Sequence, residues 1–290
     1  MQFLDVKAAP LASARVVILP VCYGGTLSYG VGAHRGPEAL LHASGYLELF
    51  DETLQSEPYA VGIHTLPFLE PDQSGPEATL AKIRQSVRPH LASGAFVATI
   101  GGEHSVSWAP VVELADLHGP ESFSILHLDA HTDARDTFQG TRWSHACVMR
   151  RISELGVPIV SVGVRSFCRE EWNHLKGAGE SWSIFPAEEI IRAVRRGDDH
   201  WIDPVISRLR GTVYITLDLD VLDPSIMPAT GTPEPGGLDY LMVLDLIRRV
   251  AAERRIIACD VMELAPIPGQ AASDVLAAKL LYKLIAHAES

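Results

Sequence analysis

Cysteine is scarce and scattered in this chain of 290 residues: Cys22, Cys147, Cys168 and Cys259 form neither a CxxC pair nor the dense spacing of a secreted disulfide framework. Reduced thiols are expected. Basic residues are outnumbered, 24 Lys and Arg against 36 Asp and Glu, and no basic run occurs. The formal net charge of -12 therefore disfavours nucleic acid and anionic membranes as partners, while a small cationic substrate would feel mild attraction. No apolar run reaches transmembrane length, and Asp5 and Lys7 interrupt the stretch where a secretory core would lie. The cytoplasm is the expected compartment. Low-complexity tracts, internal repeats and linkers are missing too. With 47% hydrophobic content, residues 1–290 are expected to fold as one domain around a sizeable core.

What is present is an alternation. Strand-like runs near 15–19, 95–100, 123–129, 158–164, 181–185, 212–219 and 255–262 are interleaved with helical patterns near 36–49, 77–92, 105–118, 145–155, 187–197, 239–252 and 272–287. This predicts an α/β architecture with a mostly parallel sheet. Ligands in such sheets gather beyond the carboxyl ends of the strands. The stretch from Pro224 to Gly237 is long, without periodicity and stiffened by proline, and loops of that length are usually functional.

Acidic residues fall where the strands end. Asp129-Ala-His131-Thr-Asp133 follows one apolar run, and Asp218-Leu-Asp220 closes another. In an extended chain alternate side chains share a face, so Asp129, His131 and Asp133 can converge, as can Asp218 and Asp220. Five such groups at matched spacing outweigh the ordinary role of Asp in turns. His104 stands just past the run that ends at Ile100, after two glycines, which favours ligation there as well. Carboxylates this close would repel one another in a buried site unless cations neutralised them. Two divalent ions would do so. Oxygen donors dominate, with two imidazoles and no thiolate, so Mn²⁺ suits the set better than Zn²⁺, which favours Cys and His. His127 shares the parity of Asp129 but lies deeper, and reads as a hydrogen-bonded core histidine. Asp223 reads as a turn former, and Glu103 as a residue behind the ligands or facing solvent.

In several ordered motifs the chain resembles the ureohydrolase family, also called the arginase/agmatinase family, and within it the agmatinase branch. The likeness is carried by Gly101-Gly-Glu-His-Ser105, Asp129-Ala-His-Thr-Asp133, Ser144-His145, Asp218-Leu-Asp-Val-Leu-Asp-Pro224, Thr230-Gly-Thr-Pro-Glu-Pro-Gly-Gly237 and Asp260-Val-Met-Glu263. The opening segment Gly30-Val-Gly-Ala-His-Arg-Gly-Pro37 and a C-terminal helix from near Ala271 are placed similarly. The resemblance implies a three-layer αβα fold and two Mn²⁺ ions. One ion would take His104, Asp129, Asp133 and Asp218, the other Asp129, His131, Asp218 and Asp220, so that Asp129 and Asp218 bridge. It further implies metal-activated attack on a guanidinium carbon, His145 as the acid that protonates the leaving amine, Glu263 as the carboxylate that receives the guanidinium, and a homotrimer or homohexamer. Many relatives follow this histidine with Gly-Thr or Gly-Met, whereas here Ala146-Cys147 follows.

Agmatine, yielding putrescine and urea, is the expected substrate. Arginases of the family it resembles hold the α-amino-acid head with Asn and Ser side chains in the segment before this histidine, and residues 134–144 contain no Asn, so the resemblance implies that arginine is disfavoured. Arg135 and Arg142 are the two residues able to reverse this by pairing with a substrate carboxylate, and Trp143 is either core or pocket wall. Guanidinobutyrate, guanidinopropionate, formiminoglutamate and free guanidine stay open as alternatives, as does a metal-binding member without catalysis. Cys147 has no identifiable base and reads as a small buried residue.

Overall fold

Runs such as Val16-Val-Ile-Leu-Pro20 and Phe96-Val-Ala-Thr-Ile100 are buried at every position, as expected of parallel strands covered by helices on both faces. In the computed structural model, which describes residues 1–198 and 200–289, these runs build one sheet. Its strands are β1 (Val16–Pro20), β2 (Ile63–Thr65), β3 (Phe96–Ile100), β4 (Ser124–Leu128), β5 (Ile159–Val164), β6 (Trp182–Pro186), β7 (Thr212–Asp218) and β8 (Arg255–Met262). They lie in the order β2-β1-β3-β8-β7-β4-β5-β6, and every pairing is parallel. The last strand is therefore inserted between β3 and β7.

Helices cover both faces. On one side the core takes residues of α1 (Gly36–Ser44), α6 (Ala187–Arg195), α7 (Ile202–Arg208), α8 (Tyr240–Glu253) and α9 (Ala271–Ala288). The opposite core takes α2 (Pro76–Ala92), α3 (Trp108–His118), α4 (Val148–Ser153) and α5 (Arg169–Ala178). Alternation in β7 divides its side chains accordingly: Val213, Ile215 and Leu217 enter the first core and Tyr214 the second. The result is a three-layer αβα arrangement. Among the described residues no helix is long and apolar enough to cross a membrane.

Three elements escape the periodic pattern, each for a physical reason. β2 is only three residues long and sits at the sheet edge. In α5 only Glu171 and Leu175 are buried, so no apolar stripe marks it, and α7 spans seven residues. α1 also ends earlier than expected, at Ser44. Gly45 and Tyr46 donate to the carbonyls of His42 and Ala43, tightening the last turn, after which Tyr46 and Phe50 are exposed.

Candidate active site

The four central strands β3, β8, β7 and β4 are neighbours, and their carboxyl ends deliver His104, Glu263, Asp218 and Asp129 to one place. Strand parity is not what gathers the rest. β4 stops at Leu128, one residue short of the expected end, and Asp133 comes into position through a left-handed backbone with φ 49°. Asp220 stands on a short 3₁₀ turn after β7, where the Asp218 carboxylate accepts from its N–H at 2.8 Å. Glu263 likewise has φ 65°. Non-glycine residues in that region carry strain of about 1–3 kcal/mol and persist where the surroundings over-determine them. Gly102 is required for a different reason, since a Cβ there would lie 1.7 Å from the Tyr23 carbonyl oxygen.

His104 Nδ1 is buried, makes no hydrogen bond, and is ringed by three carboxylate oxygens: Asp129 Oδ2 at 3.0 Å, Asp218 Oδ2 at 3.2 Å and Asp133 Oδ2 at 3.3 Å. Its other nitrogen meets Thr216 Oγ1 at 2.8 Å, and Thr216 donates its only hydroxyl proton to Asp260 at 2.7 Å. Thr216 can thus only accept from the ring. Whenever the ring is neutral, the network therefore keeps its proton on Nε2 and turns the Nδ1 lone pair toward the carboxylates. A cation between them is what this donor set fits.

A second cluster adjoins the first. His131 Nδ1 lies 3.0 Å from Asp220 Oδ2 and 3.5 Å from Asp129 Oδ1, so Asp129 presents one oxygen to each histidine. His127 uses both ring nitrogens elsewhere. Trp182 donates to Ser161 at 2.9 Å, Ser161 faces His127 Nδ1 at 2.9 Å, and His127 Nε2 meets Asp129 Oδ2 at 2.8 Å, which orients that carboxylate. His104, His127, Asp129 and Asp133 form one group able to hold a metal ion, and Asp129, His131 and Asp220 another.

The electrostatics describe a site short of positive charge. Burial disfavours a charged His104, yet Asp129, Asp133 and Asp218 together raise it well above the usual histidine range. His131 is likewise pushed up to about 12, burial opposing and Asp220 and then Asp129 prevailing. Burial and neighbouring carboxylates raise Asp133 and, more strongly, Asp218, while the histidines around Asp129 overcome its burial and hold it well down. Divalent ions would displace those imidazole protons and supply the charge instead.

Glu263 Oε1 accepts from the His104 backbone N–H at 2.7 Å, and burial together with the Glu103 carboxylate pushes Glu263 well above the usual carboxylate range. A cavity of about 290 Å³ opens over the histidines, its wall including His131, Asp133, Arg135, Phe138, His145 and Phe167. A larger groove of about 840 Å³ between α6, α7 and α8 lies away from this chemistry. Of the two arginines singled out in the sequence, Arg135 lines the cavity, over Phe138 at 4.9 Å and 3.8 Å from Glu171. Arg142 pairs with Glu154 at 2.9 Å, and Trp143 packs edge-on against Trp108. Cys147 is buried, which together with the Asp133 charge pushes its thiol up to about 12 and leaves it a poor nucleophile.

Several residues outside the expected ligand and catalytic set organise the site. Arg165 donates to the backbone carbonyls of Asp220 and Glu234 at 2.7 and 2.8 Å and so pins the long loop after β7. Asp223, the expected turn former, accepts from the N–H groups of Ser225, Gly236 and Gly237 and closes the same loop. Glu171 accepts from the Thr132 hydroxyl and the Ala134 N–H, tying the segment after β4 to α5. Glu103 proves fully buried, with partners described below.

Comparison with known proteins is consistent with this geometry. The model of the Arginase family matches residues 14–287. An N(1)-aminopropylagmatine ureohydrolase from Synechocystis sp. is 38% identical over 99% of this chain and 93% of its own length. An agmatinase from Pyrococcus horikoshii is 32% identical over 97% and 95%. Among solved structures, the agmatine ureohydrolase of Thermoplasma volcanium superposes with a TM-score of 0.87 at 29% identity, covering 100% of this chain and 94% of that one. An extensive family match, relatives of this similarity and a shared fold agree: the chain belongs to the arginase family of ureohydrolases, in its agmatinase branch, and is a hydrolase acting on guanidino compounds.

Proposed function

We propose that this ureohydrolase is a binuclear manganese enzyme that converts agmatine to putrescine and urea, a step of polyamine biosynthesis. The observation that carries the reading is the buried His104 Nδ1, lacking a hydrogen bond among three carboxylate oxygens beside Glu263. His104, Asp129, Asp133 and Asp218 would hold one ion, and Asp129, His131, Asp218 and Asp220 the other; their oxygen-rich character favours Mn²⁺. When bound, such ions lower the pKa of water from about 15.7 toward 7 and make a nucleophile available at neutral pH. Glu263, which burial drives toward its neutral form, regains its charge when a guanidinium fork arrives to pair with it. His145, on the cavity wall, gives a proton to the departing amine. We further take the chain to work in the cytoplasm as a homotrimer or homohexamer. Its four unpaired cysteines support a reducing compartment.

A second reading has a specific basis: the Synechocystis relative is named for N(1)-aminopropylagmatine, which shares the guanidino end and differs in the tail. Urea release should be compared for agmatine, N(1)-aminopropylagmatine, 4-guanidinobutyrate and arginine with Mn²⁺. We expect the highest kcat/KM for agmatine and the lowest for arginine. A win for the aminopropyl compound would establish the second reading. A win for guanidinobutyrate would point to Arg135 as a carboxylate partner, and urea release from none of them would reject both readings.

A further inference from the structure

Glu103 is fully buried behind the site, and three donors converge on its carboxylate. Oε1 accepts from the Thr26 and Ser105 hydroxyls, each at 2.6 Å, and Oε2 from the Thr26 backbone N–H at 2.6 Å. Thr26, 77 residues distant in sequence, is thus held by hydroxyl and backbone at once. Its single hydroxyl proton is committed to Glu103, so the lone pairs of Oγ1 are what it offers to His145. The His145 backbone N–H donates to Oγ1 at 3.1 Å, and the ring Nδ1 lies 3.3 Å from the same atom. A hydroxyl with no proton to spare can meet Nδ1 only if Nδ1 carries the hydrogen. Ser144 Oγ, also 3.3 Å from Nδ1, is free to act in either sense and does not oppose this. The other nitrogen, Nε2, stands 3.4 Å from Ser28 Oγ on the cavity wall, with Phe138 packed edge-on against the ring.

From this geometry we infer that Thr26, anchored by Glu103, is a positioning residue that fixes His145 as the Nδ1–H tautomer and presents Nε2 to the substrate. The inference rests on the reading of His145 as the proton donor. As the C–N bond breaks, its electron pair remains on the departing nitrogen, and His145, entering this step with a proton on each ring nitrogen, passes its Nε2 proton to that pair. The ring is left neutral, its remaining proton on Nδ1 and facing Thr26.

The test is a set of four variants, each assayed with Mn²⁺ and a guanidino substrate and each checked for metal content and thermal midpoint: Thr26→Ser, Thr26→Val, His145→Ala and the Thr26→Val/His145→Ala pair. Serine keeps the acceptor and should stay within about threefold of the parent kcat. Valine preserves shape and removes the acceptor; kcat should fall ~10- to 100-fold, part of the ~10²–10⁴-fold that general acid catalysis contributes, with KM and metal content little changed. Because Thr26 acts through His145, adding Thr26→Val to His145→Ala should cost nothing further. Parental kcat in Thr26→Val would overturn the inference. So would an equal loss from Thr26→Val in both backgrounds, leaving the reading of His145 intact. Parental turnover in His145→Ala would remove that reading and the inference together. If valine lowers the yield of folded protein, Thr26→Ala removes the same hydroxyl without added bulk and carries the same expectations.

Discussion

Thr216 lies one alternation before Asp218 in β7, and its hydroxyl works as a valve for hydrogen-bond direction. Because Asp260 takes its proton, it must accept from His104 Nε2, so that when a metal displaces the other ring proton it is Nδ1 that is freed toward the carboxylates. Thr216→Val should therefore free the ring to change tautomer. We expect metal affinity to fall roughly 10- to 100-fold, the usual effect of losing such a supporting contact. Titration of metal-free protein with Mn²⁺ reads this directly, and unchanged affinity would mean that packing alone holds the ring. At this scale the sequence displays only residues whose type conflicts with their surroundings. Asp129 and Asp218 stand out because charges seldom close apolar strands. Thr216 and Thr26 do not, since a threonine in a strand or loop is unremarkable until its partner, 44 or 77 residues away, is known.

Among the elements, long strands with continuous apolar runs were legible, whereas β2, α5 and α7 were not, being short or lacking an apolar stripe. The loop after β7 was legible as a loop, but its fastening was not, because Asp223 and Arg165 secure it through backbone groups that any sequence provides. Hydrogen bonds from Ser225, and then from the N–H groups of Gly237 and Gly236, hold the Asp223 carboxyl down to about 2 from an ordinary 3.8. A folded pKa below the unfolded one contributes stability that is complete above the unfolded value and is lost as pH falls through the folded value. Asp223→Asn should accordingly lower the urea midpoint most clearly near pH 6, and the gap from the parent should narrow as pH falls below about 4. A gap that stayed constant with pH would assign the effect to shape rather than charge.

For the molecule as a whole, the dominant unbalanced term is the acidic cluster beneath the cavity. Exhaustive chelation should abolish activity, and Mn²⁺ should restore it better than Zn²⁺ or Mg²⁺, given the carboxylate-rich donor set. Metal should also raise the thermal midpoint. Ligand at about 100 times its Kd contributes about 2.7 kcal/mol, which for a chain of this size means roughly 4 °C per ion. Full turnover by metal-free protein would sink the mechanism, and an unchanged midpoint would show that the cluster gains nothing from cations.

The insertion of β8 between β3 and β7 bears on how the molecule comes into being. Until Arg255–Met262 emerges from the ribosome, the growing chain can pair β2, β1 and β3 on one side and β7, β4, β5 and β6 on the other, with no strand to weld the halves. Two open edges then face each other, each a template for pairing with the wrong chain. His104 belongs to one half, and Asp129 and Asp218 to the other. Metal loading would consequently be a late event in biogenesis, and a chain stalled or cut before β8 would be exposed to aggregation with its candidate metal ligands still apart.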